Sequence, residues 1–205
     1  METLNNSKYL SLKLIGEGSY AQVFSFKDPN FKKHYVLKRA KKDLNQKELE
    51  RFKREYEELS KLNSPNIIEV YHYNENGKEN EYIMEKMDCT LKDYIKKNNN
   101  TLSFNDRKEI AVQVLHGFEY LSSKRLLHRD ISPNNILIRI FDDEHVQAKI
   151  SDFGLVRTTD STLTSENTEF KGLGYNDPKL YQIGFDSYDL IRETYAITNL
   201  LRFIF

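Results

Sequence analysis

The chain has 205 residues, a formal net charge of zero and a single cysteine, Cys89. The chain has no excess of basic residues, so we expect neither nucleic acid nor an anionic membrane as a partner. One cysteine excludes an internal disulfide and favours a reducing compartment, which we expect to be the cytoplasm. The first residues contain no apolar stretch, so we expect no signal peptide, and no apolar run reaches the roughly 18 residues of a membrane span.

The first part of the chain predicts strands around one helix. Alternating apolar residues predict strands in KLIGEGSYAQVFSFK and in HYVLKRA, and a strand pair in NIIEVYHY and EYIMEKM. The segment before that pair has helical spacing, and Ser64-Pro65 would stop the helix. Its apolar positions are Leu49, Phe52, Tyr56, Leu59 and Leu62.

After Asp88 the pattern becomes helical. TLKDYIKKN predicts a short helix, and a longer one would begin at Ser103 with Asp106 three residues later. The apolar face of this longer helix would carry Ile110, Val114, Leu115, Phe118 and Leu121. Strands followed by helices predict an α+β fold in two lobes, residues 1–87 and 88–205, and a crevice between two lobes is a natural ligand site.

The stretch GEGSYA, with Gly16, Gly18 and Ala21, has three interpretations. It fits the G-x-G-x-x-G/A dinucleotide fingerprint, but that fingerprint requires a helix to follow, and AQVFSF is typical of a strand. A glycine-rich hairpin lying over the phosphates of a nucleotide fits better. An ordinary tight hairpin turn is the third interpretation, because glycine often marks turns.

Two charged residues lie in apolar surroundings. Glu55 follows Phe52 by three residues and precedes Leu59 by four, so it lies on the apolar face of its helix. A buried carboxylate requires a partner, which Lys38 of a neighbouring strand would supply. The alternatives are a Glu at the solvated margin of a charged helix and an edge-strand Lys that points to water.

Polar groups concentrate in HRDISPNNIL and in SDFG. Asp130 could orient a hydroxyl nucleophile and accept its proton, while Asn135 and Asp152 offer the oxygen ligands that Mg²⁺ prefers. The segment AKIS predicts a short strand before Asp152. Taken singly, Asp130 could be a loop cap, and Asp152-Phe153-Gly154 could be a plain turn after that strand. For these structural explanations to be sufficient, all of them would have to be true at once, for motifs that occur in this order along one chain.

The full set of motifs resembles the eukaryotic-type protein kinase family over nearly the whole chain. Its members combine a glycine-rich loop, a strand Lys, a helix Glu, H-R-D with a downstream Asn, and D-F-G. The corresponding segments here are GEGSYAQV, Lys38 in VLK, Glu55 in RFKREYEEL, HRDISPNN and DFG.

The resemblance implies a two-lobed kinase-like fold, with an antiparallel-sheet N-lobe and a mainly helical C-lobe that lacks the last helices. It implies that Asp130, Lys38 and Glu55 are catalytic, and that Asn135 and Asp152 hold Mg²⁺. The glycine-rich loop and Lys38 would hold the ATP phosphates. The implied ATP-binding residues are Gly16, Glu17, Gly18, Ser19, Tyr20, Ala21, Val23, Val36, Lys38, Met84, Glu85, Met87 and Leu137.

Several positions depart from the family pattern. Ser132 stands where Ser/Thr kinases usually carry a Lys that contacts the γ-phosphate. In the family, that Lys also contacts a Thr, and Gly172 stands at the position of this Thr. Lys179 replaces the Glu of A-P-E. Loss of a phosphate contact predicts slow turnover. By resemblance, Arg129 would meet a phosphate on the activation loop, and Thr168 is the candidate phosphorylation site.

We therefore expect an ATP- and Mg²⁺-dependent protein kinase that acts on Ser or Thr hydroxyls of proteins, including its own. The alternative is a pseudokinase or nucleotide-binding scaffold, with little activity because of Ser132 and the missing late helices. A small-molecule kinase is the third candidate. The apolar end LLRFIF, which follows a helix expected to begin at Asp186, would pack on a partner, on a second copy as a homodimer, or on the flank of its own lobe.

Overall fold

The computed structural model describes residues 12–29, 32–74, 80–158 and 174–205. Its contacts divide the chain into two compact units. The first comprises residues 1–62 and 68–86, and the second comprises residues 63–67 and 87–205. The predicted phosphorylation site, Thr168, lies outside the described residues, as does Gly172.

The first unit contains an antiparallel sheet of five strands in the order β1-β2-β3-β5-β4. One helix, Gln46–Leu59 (α1), accompanies it. The strands are Lys13–Glu17 (β1), Ala21–Lys27 (β2), His34–Ala40 (β3), Val70–Asn74 (β4) and Glu81–Glu85 (β5).

Aromatic side chains join α1 to the sheet. The rings of Phe52 and Tyr82 lie 5.3 Å apart, and that of Tyr56 lies 5.1 Å from Tyr73. Phe52 and Tyr82 are buried with Ala21 and Ala40, so the α1 face predicted to be apolar is the face that covers the sheet. The helix ends at Leu59, earlier than the sequence predicted.

The second unit is mainly helical. The α-helices among its described residues are Leu91–Asn98 (α2), Phe104–Ser123 (α3), Leu180–Ile183 (α4) and Leu190–Ile204 (α5). Among the described residues it also contains two small sheets, in the orders β6-β8-β9 and β10-β7. Of their strands, the sequence predicted only the short one before Asp152. Their strands are Cys89–Thr90 (β6), Leu126–Leu127 (β7), Ile136–Ile140 (β8), Val146–Ile150 (β9) and Arg157–Thr158 (β10).

Helix α3 begins as the sequence predicted. Ser103 accepts from the amide of Asp106, and the Asp106 carboxylate accepts from the amide of Ser103, which is the reciprocal capping box. Ile110 and Val114 are buried, but the predicted inward position of Leu115 is wrong, since 41% of Leu115 is exposed. Leu115 directly follows the buried Val114, so it points about 100° away around the helix axis.

A glycine brings α3 close to the β8-β9 hairpin. A Cβ at Gly117 would lie 2.7 Å from Cδ1 of Ile150 and 3.1 Å from the carbonyl oxygen of Asn66. The amide of Ile150 donates to that same carbonyl at 2.8 Å. The absent side chain thus lets α3 pack directly on β9, the strand that leads to Asp152.

Helix α5 begins at Leu190 with Asp189 as its N-cap, so the prediction that Asp186 starts this helix is wrong. Leu200 and Ile204 are buried, and the Phe205 ring lies 5.5 Å from that of Phe104 on α3. This part of the apolar end therefore packs on the flank of its own unit, while binding of a partner or a second copy stays a prediction. No helix among the described residues is long and apolar enough to cross a membrane.

Candidate active site

In the first unit, Lys38 of β3 and Glu55 of α1 form a close ion pair. Lys38 Nζ donates to both carboxylate oxygens of Glu55, at 2.6 and 2.7 Å. The side chains are 17% and 6% exposed, respectively. The sequence argument for a paired, inward-facing Glu55 is confirmed, because the partner that a buried carboxylate requires is the lysine of the neighbouring sheet.

The glycine-rich segment is a hairpin. Strand β1 ends at Glu17, strand β2 begins at Ala21, and no helix follows the glycines, which removes the basis of the dinucleotide-fingerprint interpretation. A Cβ at Gly16 or at Gly18 would meet only ordinary van der Waals contacts, at 3.8 Å. The packing of the described residues therefore does not require these glycines, which is consistent with a ligand approaching the hairpin.

Polar contacts anchor the tip of this hairpin. Glu17 pairs with Lys41 at 2.6 Å, and Arg51 of α1 lies over the Tyr20 ring at 4.8 Å. The ion pair with Lys41 lowers the pKa of the Glu17 carboxyl. The hairpin is thereby tied both to the end of β3 and to α1.

The predicted adenine-binding positions of the first unit lie on β2, β3 and β5. Val36 pairs with Met84 across β3 and β5. The Glu85 amide donates to the carbonyl oxygen of Glu69 at 3.0 Å, and the buried Glu85 carboxylate accepts from the Glu69 amide at 2.8 Å. These two bonds hold Glu85 of β5 to the residue that precedes β4.

In the second unit, Asp130 lies in a loop held by several hydrogen bonds. Asn135 Nδ2 donates to the Asp130 carbonyl oxygen at 2.7 Å. The Asp130 amide donates to His128 Nδ1 at 3.3 Å, and His128 Nε2 donates to the Ser151 carbonyl oxygen at 2.9 Å. Since a carbonyl only accepts, the His128 proton lies on Nε2, and the ring links the Asp130 loop to the segment before Asp152.

The two predicted metal ligands, Asn135 and Asp152, lie next to two paired strands, β8 and β9. Asn135 immediately precedes β8 and Asp152 lies two residues after β9, and these strands pair Ile136 with Ile150. Both the amide and the hydroxyl of Ser151 donate to the Asn135 carbonyl oxygen, at 2.8 and 3.0 Å. Asn135 and Asp152 are therefore held at the same end of one hairpin.

Two residues of this region have left-handed backbone. Arg129 has φ of 66° and Asp152 has φ of 62°, a conformation that is unfavourable for residues other than glycine. Such residues persist where surrounding contacts hold them, and they concentrate at functional sites.

Glu193 of α5 supplies one of those contacts, and the sequence analysis missed it. One carboxylate oxygen accepts from the His128 amide at 2.7 Å and the other accepts from the Arg129 amide at 3.3 Å. Glu193 is 4% exposed. The signal was present, because Glu193 precedes the apolar Ala196, Leu200 and Ile204 at helical spacing, as Glu55 does on α1.

The positions that depart from the family pattern differ in burial. Ser132 is buried, and its carbonyl oxygen accepts from the Asn135 amide at 3.0 Å. Lys179 is exposed, and its amide donates to Asp177 Oδ1 at 2.9 Å. Ser132 thus takes part in the fold of the loop through its backbone, and its short side chain adds no charge there.

Comparison with known proteins identifies the family. The protein kinase domain matches residues 9–184, and the chain belongs to the protein kinase family. Calmodulin-binding receptor-like cytoplasmic kinase 3 of Arabidopsis thaliana is 37% identical over 175 residues, which cover 80% of this chain and 33% of that protein. The serine/threonine-protein kinase PrkC of Bacillus subtilis is 30% identical over 178 residues, which cover 85% of this chain and 27% of that protein.

A probable serine/threonine-protein kinase of Clostridium acetobutylicum is 29% identical over 184 residues, covering 88% of this chain and 27% of that protein. The chain thus spans about a third or less of the length of these relatives. The family and the α+β kinase-like fold class predicted from the sequence are confirmed.

Proposed function

We propose that this chain catalyses ATP- and Mg²⁺-dependent transfer of the γ-phosphoryl group to Ser or Thr hydroxyls of proteins. The observation that carries the proposal is the hydrogen-bonded series in the second unit. Asn135 bonds the Asp130 backbone, and Ser151, next to Asp152, bonds the Asn135 backbone. The proposed base and both proposed metal ligands are thereby held in one network, as phosphoryl transfer requires of groups that act together.

In the proposed reaction, the Asp130 carboxylate orients the substrate hydroxyl and accepts its proton. The hydroxyl oxygen forms a bond to the γ-phosphorus while the bond from that phosphorus to the β–γ bridging oxygen breaks. Asp130 is 8% exposed, so its carboxylate is largely withdrawn from water, which favours a directed contact with one hydroxyl.

Mg²⁺ would be held by the side-chain oxygens of Asn135 and Asp152, which suit a hard cation. The Asn135 nitrogen already donates to the Asp130 carbonyl oxygen, and this bond orients the amide. Bound there, Mg²⁺ would neutralise charge that develops on the phosphate oxygens. Among the described residues no group of three or more His, Cys, Asp or Glu is arranged to hold a metal. The proposed Mg²⁺ site therefore includes the side-chain amide oxygen of Asn135 as a ligand.

The nucleotide contacts are proposed from the family pattern and from the first unit's geometry. Lys38, held by Glu55, would contact the phosphates, and the β1-β2 hairpin would cover them with residues Gly16 to Val23. Val36, Met84 and the backbone of Glu85 would contact adenine. In the second unit, Met87 and Leu137 are the proposed adenine contacts.

Ser/Thr specificity rests on the names of the relatives in Bacillus subtilis and Clostridium acetobutylicum, which are serine/threonine-protein kinases. A cytoplasmic location agrees with the name of the Arabidopsis thaliana relative. Ser132 offers no cation for the γ-phosphate, and we expect turnover to be slower than in a kinase with Lys at that position.

The experiment that tests this function is transfer of radiolabel from γ-labelled ATP with Mg²⁺, with the chain itself and a generic protein as acceptors. Wild type is compared with Asp130→Asn and with Asp142→Asn, a matched control on an exposed turn of the same unit. We expect label with wild type and Asp142→Asn, none with Asp130→Asn, and labelled Ser or Thr in mass spectrometry.

Other results would favour the alternatives. Nucleotide binding with no transfer in wild type would favour a pseudokinase or scaffold. Transfer to small alcohols but not to proteins would favour a small-molecule kinase, and label on Tyr would overturn the proposed Ser/Thr specificity.

A further inference from the structure

The side chain of Arg129, next to the proposed base Asp130, is enclosed by two aromatic rings. Its guanidinium carbon lies 4.5 Å from the centre of the Phe185 ring and 5.7 Å from the centre of the Tyr188 ring. One guanidinium nitrogen donates to the Phe185 carbonyl oxygen at 2.9 Å. We call Phe185 and Tyr188 together the aromatic clamp.

The burial of Arg129 makes these contacts energetically important. Only 2% of the residue is exposed, and its Nε has no hydrogen-bond partner among the described residues. Burial and the neighbouring Arg157 lower the pKa of Arg129 to about 10, while the carboxylates of Asp186 and Glu193 act in the opposite direction. The cation is still charged at neutral pH, so the faces of the two rings help compensate for its lost hydration.

Arg129 is also the strained residue of the loop. Its left-handed backbone, with φ of 66°, sets the direction in which the chain continues into Asp130. Glu193 holds the backbone amide of Arg129 and the clamp holds its side chain. Backbone and side chain are therefore fixed by different residues, and loss of either set of contacts would let the loop relax toward ordinary φ values.

We propose that Phe185 and Tyr188 are positioning residues for phosphoryl transfer: by enclosing the Arg129 side chain they hold Asp130 in its reactive orientation. This inference rests on the proposed kinase function. It assigns a catalytic consequence to two rings in the segment between α4 and α5, which lies more than fifty residues after Asp130 in the sequence.

The test compares variants that remove a ring with one that keeps it. Phe185→Leu and Tyr188→Leu keep apolar volume but remove the π face, and Tyr188→Phe keeps the ring. We expect kcat to fall about 10- to 100-fold in the two Leu variants, the KM for ATP to change less than about two-fold, and Tyr188→Phe to stay within about two-fold of wild type.

Leu180→Ala is the control for a merely structural effect. Leu180 belongs to the same buried cluster as Phe185 and Tyr188 but has no aromatic face to offer Arg129. Assayed at a temperature where all variants are folded, it should keep kcat close to wild type despite lower stability. An equal fall of kcat in Leu180→Ala, or unchanged kcat in both Leu variants, overturns the proposal.

A second measurement does not depend on activity. The amides of His128 and Arg129 donate to Glu193, and their hydrogen exchange can be followed by NMR. We expect exchange at these two amides to be at least about ten-fold faster in Phe185→Leu and Tyr188→Leu than in wild type. Exchange at α3 amides such as Val114 should change less, and Tyr188→Phe should match wild type.

The two measurements separate failure of the clamp from failure of the proposed function. If wild type transfers no phosphate but the Leu variants show faster exchange at His128 and Arg129, the proposed kinase function is wrong. The same result would still support the aromatic clamp as the group of contacts that orders the loop. Unchanged exchange at both amides overturns the clamp whether or not the chain is active.

Discussion

The Lys38–Glu55 pair and the Asp130 loop represent two ways of holding a polar group in place. The pair joins one strand and one helix, and both side chains project from regular backbone. The Asp130 loop has irregular backbone, with left-handed Arg129 and buried polar groups bonded to residues far along the chain, such as Glu193. A regular element orients a side chain by its own geometry, whereas an irregular loop depends on each contact made to it.

This difference has an energetic consequence. Removing Lys38 removes one interaction between two elements that are otherwise well packed. Removing Glu193 leaves two buried backbone donors without acceptors, and these cannot be satisfied by local backbone bonds. We therefore expect the second unit's loop to be the more sensitive of the two regions to single substitutions.

The largest effect on stability is expected for Glu193→Ala. Two buried amides, those of His128 and Arg129, lose their acceptor, at about 1–3 kcal/mol each, so the free energy of unfolding should fall by about 2–6 kcal/mol. Urea unfolding measures this change. Glu193→Gln keeps one acceptor oxygen and most of the volume, and should lose less than half as much. A loss below about 1 kcal/mol in the Ala variant would mean that water replaces the carboxylate.

The next effect is expected for the Lys38–Glu55 pair. Lys38→Met removes the partner of a carboxylate that is only 6% exposed. Because Lys38 itself is 17% exposed, we expect a loss of about 1–3 kcal/mol, less than for a fully buried pair. A double-mutant cycle with Glu55→Gln measures the coupling energy of the two side chains.

The matched control for this cycle is the ion pair of Lys61 and Glu58, which are 63% and 24% exposed and 2.8 Å apart. We expect its coupling energy to lie below about 1 kcal/mol. Equal coupling energies in the two pairs would show that burial contributes nothing to the Lys38–Glu55 interaction.

A smaller loss is expected for Gly117→Ala, which tests the packing behind Asp152. Ala is the better helix former by about 1 kcal/mol, but its Cβ would crowd Ile150 Cδ1 and the Asn66 carbonyl. We expect a net loss of about 1–2 kcal/mol in thermal or urea unfolding. In an Ile150→Val background, which lacks Cδ1, the cost should be smaller. A stabilised Gly117→Ala protein would show that α3 shifts freely against β9.

The smallest effect concerns Asp106 in the capping box of α3. Its hydrogen bonds with Ser103 lower the pKa of Asp106 below the ordinary value of 3.8. A lowered carboxyl pKa contributes stability that is present above the ordinary pKa and is lost as the pH falls through the lowered value. The melting temperature of Asp106→Asn should therefore lie below wild type at pH 6 and converge with it in acid. A difference that stays constant down to pH 3 would contradict this.

The sequence predicted the strand-rich first unit, the helices α1 and α3, and Glu55 on an apolar helix face. These predictions succeeded because side-chain periodicity follows directly from helix and strand geometry. The short strand expected before Asp152 is confirmed as β9. The strands β6, β7, β8 and β10 were not predicted, and three of them have only two residues, too few to show periodicity. Asp189, which caps α5 in place of Asp186, shows that several nearby acidic residues can compete for one N-cap.

The sequence by itself determined the family and the order of the motifs, because residue type and spacing carry that information. It also predicted roles for Lys38, Glu55, Asp130, Asn135 and Asp152, and those roles stay predictions. Only the tertiary structure decided what holds the Asp130 loop. Glu193 and the aromatic clamp lie 55 to 65 residues further along the chain. Helical spacing predicts that Glu193 faces inward, but it does not predict which distant residues Glu193 or the clamp will contact. These contacts exist because buried amides and a buried guanidinium must each find a partner wherever the fold brings one.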